Sequence, residues 1–206
     1  MPTFITLDGI DGVGKSTQIA KLADHLSSIG DEVLTVRDPG STEIGQRLRA
    51  ILLDSQLEMH RRTEAMLFMA SRCEMIEKTI RPALQSGKSV ISDRFLLANV
   101  VYQSIGGDVS ADTLWELGHL ANDGMRPDLT VVLDMPAREA IKRLDGPADR
   151  MESRGVEYME SVRQAFLEQL PRSSEQTVVI NADQDPAAVT AEMLGAVDRM
   201  LQINKR

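Results

Sequence analysis

Between Gly9 and Thr17 the chain reads Gly-Ile-Asp-Gly-Val-Gly-Lys-Ser-Thr, which fits G-x-x-x-x-G-K-S. The pattern works only where a strand feeds a glycine loop and a helix follows it. Both flanks comply. Residues 3–8 are apolar and β-prone, and Ile19, Leu22, Ala23 and Leu26 recur at helical spacing behind the loop. Glycine accepts positive φ and has no Cβ, so the backbone can curl around an anion. The loop N–H groups and the positive end of the next helix then face phosphate. In such a loop Lys15 reaches the β- and γ-phosphates, and the Ser16 hydroxyl sits on Mg²⁺. The bland alternative, a glycine turn before an ordinary helix, leaves the Lys-Ser pair unexplained.

Beyond the loop, short apolar runs alternate with helical patterns. Strands are expected at 3–8, 31–36, 89–93, 128–134 and 177–180, with helices between them. Five such strands imply an α/β fold of three layers, a parallel sheet with helices on both faces. With 206 residues the chain suits one domain, 1–206, carrying a short lid at 145–155 that is polar, charged and bounded by glycine. Two helices carry explicit expectations. Ile44, Leu48, Ile51 and Leu52 should face the core. So should Met66, Met69, Cys73, Ile76 and Ile80 of a long helix over 63–80, which Pro82 should bend or loosen near its end.

Ligands of parallel sheets bind beyond the carboxyl ends of the strands. The loop 9–17, Arg37-Asp38, Asp93-Arg94 and Asn181-Ala182 all fall there. The net charge of −8 disfavours nucleic acid as a partner. A polyanionic ligand must therefore meet a local cluster of arginines. Asp93 ends a core strand and could hold Mg²⁺, and Arg94 beside it could bridge donor and acceptor phosphates. Arg37 follows a strand where an acceptor phosphate would lie. Arg49 is either a solvated arginine or a second contact to that phosphate. Phe68 and Arg72 share one helix face and could stack on a base and bond its carbonyl. Periodicity alone favours a core Phe and a surface Arg there. Arg143, Arg150 and Arg154 flank or occupy the lid, and Arg150 is the candidate for stabilising transferring charge, since no arginine lies between Gly9 and Gly14. The single cysteine excludes an internal disulfide and fits a cytoplasmic setting. The chain enters a strand without a signal peptide, and no apolar run reaches the length of a membrane span.

Four stretches carry a family resemblance. The loop with Asp11 before its second glycine, Arg37-Asp-Pro-Gly-Ser-Thr42, Arg62-Thr-Glu-Ala-Met-Leu-Phe-Met-Ala-Ser-Arg72, and Asp93-Arg94 followed by Tyr102-Gln103 resemble bacterial thymidylate kinases, P-loop nucleoside monophosphate kinases. The third stretch is the most specific. The resemblance implies ATP-dependent phosphorylation of thymidine monophosphate to the diphosphate, with Mg²⁺. It implies ATP at Gly9, Ile10, Asp11, Gly12, Val13, Gly14, Lys15, Ser16, Thr17, Asn181 and Ala182. It implies thymidylate at Arg37, Arg49, Phe68, Arg72, Arg94, Asn99, Tyr102 and Gln103, and metal near Ser16, Asp93 and Asp11. Lys15, Arg94, Arg150 and Asp11 would be catalytic, and the protein a homodimer packed through its long helices. Departures from the family pattern are Asp38 for Glu, Ser41 for Gly, Phe95 for Tyr or His, Ala98 for Ser or Thr, and 104–108 in place of a stretch with an arginine. The alternatives are a kinase for another nucleotide or deoxynucleoside, and a nucleotide-binding module that has lost catalysis.

Overall fold

Aliphatic runs too short for helices form the centre of the molecule. A computed structural model describes residues 1–54, 56–106, 108–144 and 155–203. In it β1 (Phe4–Asp8), β2 (Val33–Arg37), β3 (Ser89–Asp93), β4 (Leu129–Asp134) and β5 (Gln176–Asn181) form one parallel sheet in the order β2-β3-β1-β4-β5. Every residue of β1 is buried. Its Thr6 hydroxyl pairs sideways, donating to Thr130 Oγ1 at 3.2 Å. The expected five-stranded parallel sheet is therefore present, with β2 starting two residues later than expected.

Helices connect the strands: α1 (Lys15–Ser28), α2 (Glu43–Leu53), α3 (Arg61–Met75), α4 (Arg81–Gln85), α5 (Leu96–Ser104), α6 (Ala111–Asn122), α7 (Ala137–Ile141), α8 (Val156–Gln169) and α9 (Pro186–Ile203). Register decides what meets at the strand ends. Asp93 pairs with Leu7 on one side and with Arg37 on the other, and Asp134 pairs with Asn181. The residues singled out at strand ends thus converge on one edge of the sheet.

Two helical expectations need correction. Ile44 and Ile51 are exposed, whereas Gly45 and Leu52 are buried. The reason is close packing: a Cβ on Gly45 would lie 3.1 Å from Ser71 Oγ on α3 and 2.9 Å from Thr42 Oγ1. The smallest residue, not the most apolar, sets the inner face of α2. Along α3 and the turn that continues it, the buried stripe runs Ala65, Met69, Arg72, Ile76 and Ile80, while Met66 and Cys73 are exposed. One residue is about 100° of helix, so Arg72 occupies the place expected for Cys73. The loosening expected near Pro82 is present: a wider π-helical turn, Ile76–Ile80, follows α3, and the helical backbone runs on through Arg81 into α4, which contains Pro82.

Candidate active site

Asp8 closes β1, and the loop 9–14 carries the chain to α1, whose N-cap Gly14 is left-handed at φ 92°. Two glycines are also required by close approach. A Cβ on Gly9 would come within 2.5 Å of the Leu133 carbonyl, and one on Gly12 (φ +86°) would overlap the Ala140 carbonyl. The loop is thus wedged against β4 and α7. Lys15 folds back over it, donating to Gly9 O at 3.0 Å and Ile10 O at 2.8 Å, with Asp11 Oδ1 3.5 Å away. Burial, and then repulsion from Arg94, lower the Lys15 ammonium to about 8.

Residues Asp11–Gln18 line a cleft with Arg143, Ala182 and Gln184. Gly9 and Ile10 do not line it; they supply the carbonyls that hold Lys15. Asn181 does not line it either. Its Oδ1 accepts the Asp183 N–H and shapes the turn that presents Ala182.

A second cleft opens beside the first, and all eight residues expected around thymidylate line it. Arg37, Arg49 and Arg94 are among them, with Arg49 donating to Pro39 O at 3.1 Å. Phe68 is half-buried, and Arg72 is only 1% exposed. This reverses the pattern of core Phe and surface Arg. Arg72 is drawn in by Asp38, whose Oδ2 accepts from Nε at 2.6 Å, and by Asn99 Oδ1 at 3.3 Å from Nη1. Its guanidinium also lies 5.4 Å from the Phe95 ring centroid, and that ring packs edge-on against Phe4. Phe95 therefore gives up a polar tip for packing under the arginine.

Asp11, Arg37 and Arg94 line both clefts. Arg94 donates to Asp11 Oδ1 at 2.6 Å and lies 5.0 Å from the Tyr102 ring centroid. Burial alone would raise the Asp11 carboxyl, but Arg94 and Lys15 outweigh it and hold the group well below the usual range. Arg37 approaches Asp93 at 3.6 Å. Asp93 Oδ1 is buried with no hydrogen-bond partner among the described residues.

Asp38, expected at the end of its strand, lines the second cleft, while Asp8 and Glu64 lie behind the clefts and were not singled out by type or spacing. Asp8 is fully buried, neither oxygen has a hydrogen-bond partner among the described residues, and burial pushes its carboxyl up to about 7 despite Arg94 and Lys15. A signal was available: one acid ends an otherwise apolar or hydroxyl-bearing strand directly before Gly9. The segment 145–154, with Arg150 and Arg154, lies outside the described residues. Its flanks do not. Arg163 on α8 makes two bonds to Asp134, at 2.7 and 2.8 Å, and one to Glu160, which in turn accepts the Ala137 N–H that opens α7.

A phosphate-binding loop at the head of the central strand of a β2-β3-β1-β4-β5 parallel sheet defines a P-loop nucleotide-binding protein. Residues 7–193 match the family model described as Thymidylate kinase. The chain is 64% identical over 195 residues to a thymidylate kinase of Rhodopirellula baltica, covering 95% of this chain and 79% of that one. It is 39% identical to one of Desulforudis audaxviator (97% and 91% covered) and 37% identical to one of Thermosipho africanus (97% and 99%). The chain belongs to the thymidylate kinase family.

Proposed function

We propose that the chain transfers the γ-phosphoryl group of ATP to thymidine monophosphate, giving thymidine diphosphate. The observation that carries this reading is the pair of clefts sharing Asp11, Arg37 and Arg94. A donor phosphate held by the loop and an acceptor phosphate held by Arg37, Arg49 and Arg94 would meet between them. Three arginines gathered in the second cleft form a cationic cluster suited to an anionic group, which argues for a phosphorylated acceptor.

Phosphoryl transfer needs little covalent help from a protein; positioning and charge stabilisation dominate. Lys15 and Arg94 stabilise the transferring oxygens. Asp11 orients Arg94 and the acceptor, and Phe68 and Arg72 hold the base. Arg150 adds charge from the segment between α7 and α8. Mg²⁺ fits the residues present: Ser16 is exposed in the donor cleft, and Asp93 keeps an unpartnered oxygen. Hard oxygen donors of this kind suit a cation held mainly by phosphates, and no group of three His, Cys, Asp or Glu among the described residues competes for it. When bound, Mg²⁺ supplies charge neutralisation on the β- and γ-oxygens. A second copy packs against the face of α3 that leaves Met66 and Cys73 exposed.

A coupled assay across nucleoside monophosphates tests the reading. Turnover of thymidylate well above that of UMP, CMP and AMP supports it, and the reverse order overturns it. Phe68→Ala should raise the thymidylate KM by roughly tenfold or more, in line with base–aromatic stacking of about 1–3 kcal/mol.

A further inference from the structure

The base cleft has a buried back wall that the cleft-lining residues do not explain. Arg72 Nη1 donates to Asn99 Oδ1 at 3.3 Å; Asn99 Nδ2 donates to Gln103 Oε1 at 2.5 Å; Gln103 Nε2 donates to Glu64 Oε1 at 2.8 Å. None of the four residues is more than 2% exposed. Glu64, at the far end, does not line the cleft.

The two ends of this relay differ in kind. A guanidinium only donates hydrogen bonds, and a carboxylate only accepts them, whereas a side-chain amide does both. With an obligate donor at one end and an obligate acceptor at the other, both amides must point their oxygens toward Arg72 and their NH₂ groups toward Glu64. Reversing either one would set like groups against each other in a buried place, where an unmatched polar atom is costly. The cleft therefore presents an arginine donor beside an amide oxygen. That order suits the carbonyl and ring N–H of thymine. It opposes cytosine, whose amino group donates and whose adjacent ring nitrogen accepts.

We infer that Glu64 is a positioning residue that sets base specificity through Gln103 and Asn99, without touching the substrate. The inference rests on the thymidylate reading above and deepens it.

The test compares kcat and KM for thymidylate and deoxycytidylate in the wild type, Glu64→Gln, Glu64→Met and Gln103→Leu. Affinity for a non-hydrolysable ATP analogue reports on the fold of each variant. Glu64→Met should lower the ratio of kcat/KM for thymidylate over deoxycytidylate about tenfold. The loss should fall on the thymidylate KM, with kcat within twofold. Glu64→Gln, which keeps an acceptor, should fall in between, and it decides the matter alone if the Met variant does not fold. In the Gln103→Leu background Glu64→Met should change the ratio less than twofold, as expected when one residue acts through the other. A wild type that does not prefer thymidylate removes the reading and the inference together. A wild type that prefers it, with the ratio unchanged in the Glu64 variants or changed equally without Gln103, overturns the inference alone.

Discussion

Arg94 Nη2 lies 2.6 Å from Asp11 Oδ1, so one charge-assisted hydrogen bond joins the end of β3 to the phosphate loop. Arg94 takes a left-handed backbone, φ 68°, to make this reach, an uncommon conformation for a residue with a Cβ. Its own N–H is held by Leu7 O at 3.0 Å, which fixes that turn to the central strand. Arg94→Met should lower kcat by about 10²–10³, the usual loss on removing a preorganised charge from a transferring group. A kcat within threefold of the wild type would exclude a role for Arg94 in the transfer step.

Lys15 gives a pH signature. Its native pKa is lowered to about 8, so the free protein loses the lysine charge as pH rises through that value. Nucleotide affinity should then be highest below pH 8 and weaken toward tenfold per unit above it. Calorimetric titrations between pH 7 and 9.5 read this directly. The slope should vanish in Lys15→Met.

Asp8 should reveal itself in stability instead. Its native pKa of about 7 lies above the ordinary 3.8, so between those values the native state keeps a proton that the unfolded chain releases. Stability relative to Asp8→Asn should be level below pH 4. It should fall by about 1.4 kcal/mol per unit from pH 4 to 7, and stay level above 7, a total of roughly 4 kcal/mol. Urea denaturation of the nucleotide-free protein across this range checks it, and a constant difference would contradict the burial argument.

The Asp38–Arg72 pair is buried on both sides, at 1% side-chain exposure each. Removing one partner strands the other charge. Asp38→Ala should cost about 3–5 kcal/mol in chemical denaturation, and Asp38→Ala/Arg72→Met should recover much of that. A double variant less stable than the single one would show that Arg72 is held by its other contacts.

Local patterns made the sheet and the phosphate loop legible. Each core strand is one apolar run, and Gly9–Thr17 carries its own chemistry. Arg72 shows where such reading stops. Helical spacing placed Cys73 on the buried stripe, because nothing within a few residues neutralises an arginine. The carboxylate that neutralises Arg72, Asp38, lies 34 positions away and the amide that accepts from it, Asn99, 27 away, and only the folded sheet brings them together. Resemblance to a family pointed to Phe68 and Arg72 as base contacts, but periodicity had them inside out. The inner face of α2 was missed for a related reason. Gly45 is buried because α3 comes close, and a glycine contributes nothing to a hydrophobic pattern.

The ion-paired cluster of Asp134, Glu160 and Arg163 has a consequence for how the chain can vary. It pins the start of α7 to α8, so the stretch between them begins and ends at fixed points whatever its length. In general, doubling the length of a connection between two fixed points adds only about 0.6 kcal/mol of closure entropy. Residues can therefore be inserted or deleted there while Lys15 and Arg94 keep their places, leaving the protein free to exchange one set of arginines for another without refounding its core.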